Sequence, residues 1–235
     1  MINEVRETVM AILSKDNNGY ITPHEFNLFA KQAQLEIFED YFVRHQKDTI
    51  LTHQRNNNTG VSDKRRISEE MIDRFSTYDT LTASTGSQFV LPTNYFTINS
   101  LIYNNSASIE YISKHKLLQL NNSKLTAPSS IYPVYTFGEP VSGEDSIVVY
   151  PTSIVSDVSI YYTRYPVDPK WTYNMFTGDP LFDNSAPDYQ DFELTRADFN
   201  DLVIKICLYA GVNIRENEVV AAMTNMDMMN KNQGE

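Results

Sequence analysis

Apolar residues recur at helical spacing near both ends of the chain and alternate in its middle. Residues 3–13 predict a short amphipathic helix with Val5, Val9, Ile12 and Leu13 on one side. A polar turn, Ser14 to Tyr20, follows. A long second helix is predicted from Thr22 to about Lys47. Thr22 is a natural N-cap, Pro23 sits at the first helical position and Glu25 at the third, which makes a capping box. Phe26, Phe29, Ala30, Ala33, Ile37 and Tyr41 form its main stripe. Leu28, Leu35 and Phe42 stand seven apart on the opposite side. A helix with two apolar sides is expected to be covered on both, the second by another layer or a neighbouring subunit. Residues 53–66 read as a polar loop, and a third helix is predicted over about 67–76 with Ile67, Met71, Ile72 and Phe75 inward.

From about residue 80 the period changes. Strands are predicted at 88–92, 95–103, 108–112, 134–137, 146–151 and 157–166. A short helical piece is predicted at 114–120, and a hairpin turn at Ser142-Gly143-Glu144-Asp145. A proline-rich stretch to about 190 reads as an extended return connection. Thr195 then caps a returning helix lined by Phe199, Leu202, Val203, Ile206, Tyr209 and Ala210. Gly211 is expected to interrupt it. A last helix over about 215–229 carries Val219, Val220, Met223 and Met226. Methionines suit a surface that adapts to a partner, although a last core helix fits the same spacing. The fold class is therefore α+β: a helical bundle with an inserted small antiparallel β domain and a returning C-terminal helical arm. The expected divisions are 1–79, 80–166, 167–193 and 194–235.

Composition narrows the function. The 235 residues are 41% hydrophobic, with 15 Tyr and 12 Phe, enough to bury a core without staples. Thirty acidic residues against nineteen basic ones give a net charge of −11. A chain so acidic does not hold nucleic acid through its overall field, yet it can surround DNA without sticking to it. One cysteine, Cys207, excludes an internal disulfide framework or a multi-thiolate metal cluster. No stretch reaches the length of a membrane span, and the first residues do not read as a signal peptide. Assembly in a cytoplasm without a membrane partner is the expectation.

Candidate chemistry is sparse. Ser14 to Glu25 overlays a calcium loop of the EF-hand type, with Gly19 at position 6 and Glu25 at 12. Ser14 stands where Asp is needed, and no second loop is present. A glycine turn followed by a capping box explains the same residues. The histidines His24, His45, His53 and His115 lack zinc spacing. Cys207 reads as a buried thiol, and the pairs Glu39-Asp40 and Glu144-Asp145 as solvated charge. Lys64-Arg65-Arg66 is a helix entry, or a contact for an acidic neighbour or DNA. Neither catalytic residues nor a cofactor are expected. The alternative to a structural role is a calcium-responsive binding module built on residues 14–25.

The order of parts, helices, inserted β domain and returning helices, is itself a signature. With 21–42, 89–103, 130–137, 147–151 and 158–171, it makes the chain resemble the neck proteins of short-tailed bacteriophages, in particular the ring proteins of crAss-like phages. The wider family comprises head-to-tail adaptors, also called gatekeeper or tail tubular proteins. The resemblance implies a virion structural protein in the neck or tail. It would form a ring of identical copies, commonly twelve, that contacts the portal protein and other neck and tail rings. The genome would leave through the channel without specific binding. Leu28, Leu35, Phe42, Val219, Val220, Met223 and Met226 are the candidate interface residues, and a C-terminal arm gripping the portal is the expected device.

Overall fold

The computed structural model describes residues 1–14, 20–54, 59–214 and 223–229. In chain order, the helices α1 (Ile2–Leu13), α2 (Pro23–Gln54) and α3 (Thr59–Asp73) come first. Five strands follow: β1 (Ser76–Thr80), β2 (Ala83–Thr85), β3 (Gln88–Val90), β4 (Tyr95–Tyr103) and β5 (Ala107–Tyr111). Helix α4 (Lys114–Asn121) precedes β6 (Val134–Phe137), β7 (Ser146–Tyr150) and β8 (Val158–Arg164). A hairpin of β9 (Tyr173–Phe176) and β10 (Asp179–Phe182) leads to α5 (Phe199–Ile214), and residues 223–229 are helical. The fold is α+β, and the chain divides into two compact units, 1–71 with 166–235, and 72–165.

In the helical unit, α5 packs against both α1 and α2. Its buried face is Leu202, Val203, Ile206 and Ala210. On α1, Val5 and Val9 are buried, and on α2 the stripe of Phe26, Ala30, Ala33, Ile37 and Tyr41. The capping box that starts α2 is made as the sequence predicts. The Thr22 amide donates to Glu25 Oε2 at 2.9 Å, and the Glu25 amide donates to Thr22 Oγ1 at 3.3 Å. Helix α1 has no capping side chain of its own. Asp191 supplies it from far along the chain, accepting the Ile2 amide at 2.8 Å.

Three expectations for this unit are corrected. Residues 59–66 are helical rather than loop, and α2 reaches Gln54. The sequence from Thr59 to Arg66 carries no apolar period, so its helicity was illegible; pairs one turn apart, Arg65–Glu69 and Arg66–Glu70, support the helix instead. Ile67 is exposed rather than inward, and Ser68 takes the buried position beside it. Gly211 does not interrupt the returning helix. It is buried inside α5, which continues to Ile214.

The sheet unit has eight strands in the order β1-β8-β4-β5-β6-β7-β3-β2. All neighbours are antiparallel except β5 and β6, which run parallel through the register Tyr111↔Tyr135. A parallel pair needs a crossover, and residues 112–133 with α4 provide it. The sheet is therefore mixed, where the alternation predicted antiparallel pairing alone. It curls so that one face converges on its own core of Phe89, Leu101, Ile109, Ile147, Val149 and Ile160. Two irregularities in the β4–β8 register, at Tyr95/Thr97 and Ile98/Ser100, supply the bend. Ser142 and Gly143 both have positive φ and form the predicted tight turn, closed by the Val141–Glu144 bridge.

Candidate assembly surfaces and the polar cluster behind them

The second side of α2 is only partly apolar-covered in the single chain. Leu28 is 52% exposed, whereas Leu35 and Phe42 are half-buried. Phe42 sets its ring edge against Phe38 of the same helix, with centroids 5.1 Å apart. Phe38 is itself buried and lies between the two stripes. The two apolar sides thus merge through one aromatic pair at the C-terminal half and separate at Leu28.

Met223 is buried, and helical residues 223–229 lie on their own chain. Met226 and Met229 line an open groove with Ile12, Val203 and Ile204. That placement answers to a last helix of the same unit. Val219 and Val220 lie outside the described residues, as do residues 15–19 of the candidate calcium loop. At the ends of that loop, Ser14 Oγ donates to the Met10 carbonyl and Glu25 closes the capping box.

Lys205 is the feature the sequence reading missed. It sits in the apolar run of α5 and is 3% exposed. Its ammonium lies 2.7 Å from Glu36 Oε1, 3.6 Å from Asp40 Oδ2 and 3.8 Å from Asp227 Oδ1. These are ion pairs without a well-directed hydrogen bond. Tyr209 donates to the other Glu36 oxygen at 2.7 Å. One buried cation therefore gathers carboxylates from α2 and from the helical residues 223–229. Asp40 is thus a partner in a charge cluster rather than plain solvated charge. A lone lysine within FNDLVIKICLYAG was the available signal, since a charge amid apolar positions is buried only when paired.

Other polar anchors fix the strands of chain that return to the helices. Gln34 is buried on α2; it donates to the Val167 carbonyl at 2.7 Å and accepts from the Glu193 amide at 3.0 Å. Tyr41 donates to buried Asp198 at 2.7 Å, which also accepts the Thr195 amide. Trp171 is buried under the Arg6 guanidinium, 3.9 Å from its ring centroid, and its indole N–H donates to Asn3. Tyr173 and Phe182 stack near it, at 5.5 and 5.9 Å. They form the base of the β9–β10 hairpin, which stands where the sequence predicts only an extended connection.

Cys207 is fully buried, and desolvation pushes its thiol up to about 12. Such a thiol is a core side chain and a poor nucleophile. Among the described residues, no group of three His, Cys, Asp or Glu side chains is placed to hold a metal ion, and no helix is long and apolar enough to cross a membrane. No family model matches the chain, and a search of curated proteins finds no match.

Proposed function

We propose that the chain is a non-enzymatic virion protein, one subunit of a ring in the head-to-tail connector of a short-tailed phage. The observation that carries this reading is the arrangement of parts. The two ends of the chain make one helical unit, and a curled sheet unit is inserted between them. That is the order on which the resemblance to neck ring proteins rests. Exposed apolar side chains support it: Leu28 on α2, Met175 and Phe176 on the hairpin, and Tyr111 and Tyr132 on the sheet unit remain uncovered in the single chain. Surfaces of this kind mark contacts with other chains. The net charge of −11 suits a channel that DNA traverses without adhering.

In this reading the ring docks on the portal and contacts a further ring of the neck or tail. Co-purification of the full chain with the portal protein of the same virus tests it. A stable complex holding a ring of identical copies is expected. A chain that never joins portal or another neck protein, at any concentration, contradicts the proposal.

A further inference from the structure

The charge of this chain is unevenly distributed. Between Glu110 and Glu139 there is no carboxylate, whereas Lys114, Lys116 and Lys124 all lie within that span and are exposed. The span is the last residue of β5, the crossover that follows it, and β6. It also displays apolar side chains: Leu125 is 93% exposed and Tyr132 78%, with Leu118 and Ile131 similarly bare. Tyr111 and Phe137 add an exposed aromatic pair, 5.8 Å between centroids.

The helical unit carries the complement. Residues 173–193 contain five carboxylates and no lysine or arginine; Asp188 and Asp191 pair with Lys170 and the N-terminal ammonium, and Asp179 and Asp183 give the hairpin its negative charge. Their hairpin ends in Met175 and Phe176, which are adjacent in β9 and so emerge on opposite faces. Phe176 is 72% exposed, Leu181 on β10 is also exposed, and Asp179 sits directly across from Phe176. A two-stranded ribbon with bare apolar side chains on both faces is built to be enclosed.

We infer that the lysine-bearing crossover 111–137 of one copy receives the β9–β10 hairpin of a second copy. The inference names the contact between neighbours and so rests on the ring-subunit reading. Like-charged copies repel over most of their surface, whereas between these two surfaces the sign is opposite and both sides are apolar. The two surfaces share no residue, so the contact is head-to-tail and propagates from copy to copy, closing into a ring when the rotation allows. Lysines beside aromatic rings also fit single-stranded nucleic acid. The aliphatic Leu118, Leu125 and Ile131 favour a protein instead.

The test uses full-length chains and a bismaleimide. One copy carries Phe176→Cys and the other Leu125→Cys, while Cys207 is buried and stays unlabelled. Mixing at high concentration should give a covalent heterodimer. Lys114→Glu, Lys116→Glu and Lys124→Glu together in the Leu125→Cys copy should cut its yield about tenfold. Asp179→Lys with Asp183→Lys in the hairpin copy should restore it. Absent heterodimer, or a yield indifferent to these charges, overturns the inference. So does a fluorescent single-stranded oligonucleotide that binds the wild-type chain, is lost with the lysine variant and competes with cross-linking. Rings seen without this cross-link would leave the ring reading standing and remove this contact. An open filament with the cross-link would do the reverse.

Discussion

Lys205 holds charges that otherwise repel. Breaking a buried ion pair by removing one partner typically costs several kcal/mol, because the remaining charge is left unpaired. Glu36, Asp40 and Asp227 each retain some access to water, which moderates the loss. Lys205→Met should lower unfolding free energy by about 2–4 kcal/mol in urea, and a loss under about 0.5 kcal/mol would show that the carboxylates do not need the cation. Tyr209 and Cys207 give a pH signature. Burial raises the Tyr209 phenol above its ordinary value, and its hydrogen bond to Glu36 adds to the rise. Burial pushes the Cys207 thiol from 9.0 up to about 12. Both groups hold their protons more tightly when folded. The stability that Cys207 contributes is complete below about pH 9 and is lost as pH rises towards about 12, and Tyr209 adds a loss at the alkaline end. Cys207→Ala should therefore flatten the decline of the urea midpoint across that window, and an unchanged slope would contradict the assignment. At the other end of the unit, Thr22→Ala should cost about 1 kcal/mol, equally with and without calcium. Micromolar calcium affinity by calorimetry would instead make residues 14–25 a metal site.

Among the elements, the helical residues 223–229 invite the most direct test. Met223 is buried and Asp227 faces Lys205, so this segment contributes to the fold of its own unit. A chain ended after Ile214 should lose about 2 kcal/mol or more from the exposed core and the broken ion pair. Unaltered thermal stability would return the segment to the role of a free arm. The sequence made some elements plain and hid others for physical reasons. The central strands β4, β6 and β8 bury apolar side chains, and the predicted spans coincide with them or overrun by a residue or two. Strands β1 and β2 are edges that bury little, and their Ser, Thr and Asp gave no strand signal. The hairpin β9–β10 was masked by Pro180 and by Met175, Phe176 and Leu181, which stay exposed in the single chain. The Thr22–Glu25 capping box was legible because both partners lie within three residues. The clamp by Gln34 and the Lys205 cluster join residues more than a hundred apart, and no local pattern announces such pairs. Gly211 misled because glycine ends helices when exposed; here it is buried within α5, which runs on to Ile214.

For the whole molecule, two units with different charge and different exposed apolar surfaces make a chain suited to contact others at more than one place. The exposed Leu28 and the half-buried Leu35 and Phe42 lie on α2, far in sequence from the hairpin and the crossover. Under the proposed ring reading they are candidates for a contact with the portal or a next ring. Leu28→Asp should leave the urea midpoint of the single chain within about 0.5 kcal/mol while weakening assembly with its partner by about tenfold or more. An equal loss of stability in the isolated chain would place Leu28 in the core instead. The central claim is that this protein is a connector ring subunit, and the measurement that meets it most directly is electron-microscopic imaging of virus particles carrying a tagged copy. The account predicts the tag at the neck, on a closed ring of identical copies between capsid and tail. Particles without the protein, or a tag placed elsewhere on the virion, would contradict it.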